Sequence, residues 1–127
     1  MGFTIHRLDE LEFGPPKHGD QSRGIAALSD AMREMRANIW RLPPNAKGRR
    51  HIERAQEELF IVLRGAVTMF LGEPPERVEL PQGSVAVVGT GTGQQLSNEG
   101  AEEAVVLVVG APPVAGQAEH LPDAAER

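Results

Sequence analysis

Short apolar runs of five to seven residues, rich in Val and each stopped by glycine or proline, constrain this chain more than any other feature. The 127 residues include 14 Gly and 10 Pro, set between runs such as Leu59–Leu63, Ala66–Leu71, Ser84–Val88 and Glu103–Val109. Breakers at that frequency favour many short strands over long helices, so the expected class is all-β, a sandwich or barrel. The length suits one domain with a single core. The longest apolar run, Ala104–Ala111, falls far short of the ~20 residues of a membrane-spanning helix. Its β-branched content marks a buried strand.

Residues 1–24 mix charges with Gly14, Pro15, Pro16 and Gly19, and only Phe3–Leu8 and Leu11–Phe13 resemble strands. They are expected to form an arm available to pack on a partner subunit. The barrel domain is placed at 25–113. It opens with a strand near Gly24–Ser29, an irregular or single-turn helical link, and a strand over Met35–Leu42 that stops at Pro43-Pro44. Trp40, the only Trp, reads as core or interface packing. Leu59–Leu63 and Ala66–Leu71, joined at Arg64-Gly65, are predicted to pair as a β-hairpin. Strands follow at Arg77–Leu80, Ser84–Val88, Gln94–Asn98 and Glu103–Val109. From Pro112 the composition offers little to bury, so 114–127 is expected to be a flexible tail.

The absence of Cys removes disulfides and thiolate chemistry, and with no signal peptide it is compatible with a reducing, cytoplasmic setting. Any metal must use N and O ligands. A net charge of −5 argues against general nucleic-acid affinity, the cluster Arg49, Arg50 and Arg54 being expected to be solvated. No membrane partner is expected. Without Cys or a G-x-S-x-G elbow, nucleophilic catalysis has little support, and Gly89–Gly93, followed by no helix pattern, reads as a turn and not a phosphate loop.

Polar side chains gather between Leu42 and Gly65, where His51, Glu53, Glu57 and Glu58 fall within eight residues. Two blocks of residues carry a resemblance. The first is Asn45, His51, Glu53, Glu58 and Gly65, and the second is Gly83, Gly89, Gly91, Gln94 and Asn98. Their spacings resemble the paired motifs of the cupin superfamily, G-x5-H-x-H-x3,4-E-x6-G and G-x5-P-x-G-x2-H-x3-N. The resemblance implies a double-stranded β-helix, a jelly roll of two antiparallel sheets around a cavity. It also implies that the four positions holding the metal in metal-binding cupins are here His51, Glu53, Glu58 and Gln94, so only one of three histidines remains. Asn45 replaces a glycine, and Asn tolerates a left-handed backbone.

Strand parity places His51 with Glu53, Glu58 with Phe60, and Gln94 with Leu96 on inward faces, while Glu57 points away. One imidazole, two carboxylates and an amide suit a divalent cation such as Mn, Fe, Ni or Zn. Without one, two enclosed carboxylates need an arginine or a proton, and Arg49, sharing the face of His51, is the best candidate partner. Arg49 and Phe60 are accordingly candidate ligand-binding residues. His6, His18 and His120, near the termini, are not expected to be ligands. Two functions stay open. One is a metal-dependent enzyme, an oxygenase or isomerase acting on an organic small molecule. The other is a metal-free barrel that binds a small polar or carbohydrate-like ligand, as a binding module or acid/base catalyst. The outward apolar face of Leu59, Ile61 and Leu63 must be covered, and a homodimer is expected.

Overall fold

A computed structural model, which describes residues 2–113 and 118–124, turns the apolar runs into two five-stranded antiparallel sheets. The strands are β1 (Gly24–Ala27), β2 (Arg36–Leu42), β3 (His51–Glu53), β4 (Glu57–Arg64), β5 (Ala66–Leu71), β6 (Glu76–Pro81), β7 (Val85–Val88), β8 (Gly93–Ser97), β9 (Ala104–Ala111) and β10 (Ala118–His120). One sheet runs β1-β2-β9-β4-β7 and the other β10-β3-β8-β5-β6. The all-β jelly roll expected from the sequence is the fold. Among the described residues no helix is long and apolar enough to cross a membrane.

Alternation builds the core. On β4, Glu58, Phe60 and Val62 are buried while Leu59, Ile61 and Leu63 are half-buried on the other face. Phe60, Val62, Val106 and Val108 of the first sheet pack with Val67, Met69 and Leu96 of the second. Each such side chain contributes roughly 1.5–3 kcal/mol of burial. The outer face of the first sheet has a second cluster, in which Ala26, Ile39 and Val105 pack with Leu8, Leu11 and Phe13 of the arm and with Leu63, Leu107 and Val109. The arm thus covers part of the outer face of its own barrel. Among its described residues before β1 it holds no strand: Leu8–Glu10 is a single 3-10 turn, and one bridge joins Gly14 to Ile25.

The predicted β4–β5 hairpin does not form. Both edges of β4 are occupied, by β9 and β7, so β5 joins the other sheet between β6 and β8. Gly65 makes the corner at φ +74, and a Cβ there would stand 2.7 Å from the Glu103 carbonyl oxygen. Any side chain at this position would therefore collide with fixed backbone. Asn45, φ 71, takes the left-handed conformation its motif position requires.

The segment read as a flexible tail is also different where it is described. Ala118–His120 pairs antiparallel with β3, His120 opposite His51, and Ala124 is buried with its N–H donating to Gln95 Oε1, 2.9 Å. The pairing explains the order seen in a composition poor in apolar residues: backbone hydrogen bonds and polar side chains hold it. Residues 114–117 and 125–127 of that expected tail lie outside the described residues.

Candidate metal centre

β3 is three residues long, so His51 and Glu53 project to one face. Its register sets His51 opposite Gln94 on β8. From the facing sheet β4 turns Glu58 inward, next to Phe60. The register of β2, β9 and β4 then places Gly110 between Arg36 and Glu58. With no side chain at Gly110, the Arg36 guanidinium crosses β9; a Cβ there would meet Arg36 Cζ at 3.4 Å and Gln56 Oε1 at 3.0 Å.

The result is a compact charged cluster. His51 Nε2 lies 3.1 Å from Glu53 Oε2 and 3.7 Å from Glu58 Oε1. Gln94 Nε2 donates to Glu58 Oε1 at 2.5 Å. Arg36 Nη2 donates to Glu58 Oε2 at 3.2 Å and stands 3.7 Å from Glu53 Oε2. The guanidinium is aimed by Gln56, whose Oε1 accepts from Arg36 Nε and Nη2 at 3.0 and 2.7 Å and whose amide donates to the Pro112 carbonyl. Glu53, Glu58 and Gln94 are all buried.

His51 is fixed from behind by its own chain. Its Nδ1–H donates to the Arg49 carbonyl, 3.0 Å, which leaves Nε2 facing the two carboxylates. Burial pulls the His51 pKa down, but contact with Glu58, the Arg49 carbonyl and the charge of Glu53 outweigh it and the pKa is raised. Donors about 2.0–2.2 Å from a shared ion stand roughly 3–4 Å apart. The spacings from His51 Nε2 fall in that range, and His51, Glu53 and Glu58 each offer an atom within 4.8 Å of the others'. The donor set therefore fits a divalent cation.

Four of the six candidate residues, His51, Glu53, Glu58 and Gln94, are brought together. Phe60 and Arg49 line the adjoining cavity of about 80 Å³, with Trp40, Leu96 and Val108. Arg49 is not the internal partner expected of it: β3 begins only at His51, and Arg49 lies exposed at the cavity wall while Arg36 meets the carboxylates. Parity on β2 could have found Arg36, since it shares the face of Trp40 and Leu42. Arg50 is not solvated either. It is 3% exposed and donates to Glu73 and to the carbonyls of Gly72 and Pro122. Glu57 is exposed, and Arg54 pairs with Glu119 at the surface. His120 on β10 stands with its ring centroid 6.5 Å from that of His51 and is not one of the grouped donors.

The family model for the Cupin domain matches residues 38–110, more than half of the chain. The chain is a cupin. No curated protein matches it in sequence. Among solved structures, this cupin is similar to a sugar phosphate isomerase of the cupin superfamily from Silicibacter pomeroyi DSS-3, with 26% identity, a TM-score of 0.74, and coverage of 85% of this chain and 75% of that one. It shares the fold of an uncharacterized double-stranded β-helix protein from Klebsiella pneumoniae, with 19% identity, TM-score 0.78, and 96% and 100% coverage. The polyketide cyclase RemF of Streptomyces resistomycificus also shares the fold, with 16% identity, TM-score 0.82, and 98% and 88% coverage.

Proposed function

We propose that this cupin holds a divalent cation, Mn, Fe, Ni or Zn, through His51, Glu53 and Glu58, and acts on a small organic molecule in the adjoining cavity. The observation that carries the reading is the convergence of Nε2 and two carboxylates, with Nε2 left free to coordinate by the Nδ1 hydrogen bond to the Arg49 carbonyl. Turning the Gln94 amide over brings its oxygen to the same place as a fourth donor. The cation would supply Lewis acidity toward a carbonyl or hydroxyl, which suits an isomerase or oxygenase. Phe60 and Trp40, which line the cavity, keep water from one side of the ligand. The similarity to a sugar phosphate isomerase favours isomerisation over oxygenation. Purify the protein without chelator and measure metal after incubation with each ion. Less than about a tenth of an equivalent at micromolar concentration removes the reading.

Arg36 favours a second reading. Its guanidinium already compensates the buried carboxylates, so the barrel can work without a metal, binding a small polar or carbohydrate-like ligand with His51 and Glu53 as acid and base. Ligand-induced thermal stabilisation that survives EDTA supports this; its loss with chelator removes it.

We further propose a homodimer through the outer face left open by the arm. Val85 and Val87 on β7, 56% and 70% exposed, pair with Ile61 and Leu59 to extend an apolar strip. Light scattering at micromolar concentration decides, a monomer refuting it.

A further inference from the structure

The cavity opening carries positive charge that the metal cluster does not consume. Inside, Glu53 and Glu58 are matched by Arg36 and by His51. Arg49, which also lines the cavity, makes no ion pair among the described residues. Its stem is nevertheless placed, because it lies on the arm at Gly19, where a Cβ would meet Arg49 Cγ at 3.0 Å and Cδ at 3.3 Å.

β10 adds His120, held on the face of His51 by their register, with ring centroids 6.5 Å apart. Burial, then the charges of Arg49, His51 and His18, press the His120 pKa down against the opposing charge of Glu53, as expected where cationic groups outnumber the one carboxylate acting on them. The protein as a whole carries −5, so this local excess is opposite in sign to the body and attracts anions to one place. The wall beyond is apolar, formed by Trp40, Phe60, Leu96 and Val108.

We propose that Arg49, with the imidazole N–H of His120, forms an anion subsite at the cavity mouth, and that the ligand is a small organic anion with an apolar or flat carbon body. The anionic group, a carboxylate or a phosphate, docks on the Arg49 guanidinium, and the carbon body enters against Phe60 and Trp40. This rests on the reading of the cavity as a small-molecule site, and it needs no metal.

The test is therefore run in EDTA, where a bound cation cannot hold the anion. Calorimetry is carried out with benzoate, its neutral counterpart benzamide, and inorganic phosphate, each at up to about 10 mM to reach weak affinities. Benzoate or phosphate is expected to bind and benzamide not, with benzoate preferred if the carbon body contributes. Arg49→Gln weakens anion binding about ten- to a hundredfold, His120→Asn about three- to tenfold, and Arg54→Gln leaves it unchanged. Binding of benzoate without phosphate assigns a carboxylate ligand, the reverse a phosphorylated one. The proposal is overturned if benzamide binds as well as benzoate, if Arg49→Gln binds anions as the parent does, or if neither anion binds. Failure to take up metal after incubation with each ion sinks the metal reading and leaves this result standing. Loss of the anion result leaves the metal measurement untouched.

Discussion

Gln94 and Gln95 are neighbours on β8, both buried, and they serve two different regions. Gln95 faces outward into a joint with the C-terminal segment, donating to the Gly48 carbonyl and Asp123 and accepting from the Ala124 N–H. Asn98, at the end of the same stretch, likewise spans the Leu42 and Glu102 carbonyls and the Gly100 N–H. These amides have mainly backbone partners, in fixed positions, and the bonds do one thing, which is to close the fold. Gln94 instead faces a cavity and donates to a carboxylate that also meets an arginine and a histidine. That partner is a charged side chain, able to exchange the contact for a proton or a cation. Burial of a polar group does not mark a site; the nature of its partner does.

The largest expected effect breaks the two regions apart. If structural sites bind zinc with about 10–16 kcal/mol across four ligands, one ligand is worth roughly 2.5–4 kcal/mol. Glu58→Ala should then lower metal affinity several hundredfold by calorimetry. Gln95→Ala should leave that affinity within about twofold while lowering stability by about 2–3 kcal/mol, because it strands the Gly48 carbonyl and Ala124 N–H. In thermal denaturation this is a fall of roughly 8–12 °C. A Gln95 variant that lost metal at unchanged stability would erase the distinction.

A smaller effect separates Arg36 from the ligands. Breaking a buried ion pair costs about 3–5 kcal/mol, and since the Arg36 side chain is 30% exposed, about 2 kcal/mol is expected for Arg36→Met in chelator. The same change removes the cation that competes for Glu53 and Glu58, so metal affinity should rise about tenfold, a net gain of about 1.4 kcal/mol. Metal affinity that falls in Arg36→Met would mean that the guanidinium aims the carboxylates and does not compete for them.

The residues differ in how far they could be read in advance. His51, Glu53, Glu58 and Gln94 were legible because their spacings resemble the paired cupin motifs, and period-2 alternation then puts them on inward faces once their strands are known. Arg36 obeyed the same rule and was passed over because it lies outside both motifs and needs Gly110, 74 positions away, to let it cross. The β4–β5 hairpin failed for a related reason: a turn signal gives the bend and not the pairing partner, which depended on β9 and β7 holding both edges of β4. β10 was least legible of all, since register with β3 and the Gln95 joint order a segment whose composition gives no apolar signal.

The smallest effect concerns the proton that the cavity cluster holds and the outer joint does not. His51 has its pKa raised above 6.5 in the folded protein, despite burial, by Glu58, the Arg49 carbonyl and Glu53. A group of that kind stabilises the fold fully below its unfolded pKa and loses the contribution as pH rises through the folded value. In chelator the wild type should therefore lose stability as pH rises above 6.5, and His51→Gln should flatten that part of the profile. His120 acts in the opposite sense and at lower pH, since its pKa is lowered, first by burial and then by Arg49, His51 and His18; its protonation destabilises the fold as pH falls below 6.5. Metal reverses the sign at His51, because Nε2 must give up its proton to coordinate. With saturating metal, stability should rise with pH over the interval in which it falls in chelator. Equal slopes in wild type and His51→Gln, with and without metal, would show that His51 exchanges neither proton nor cation. The cavity cluster would then be as fixed as the Gln95 joint beside it.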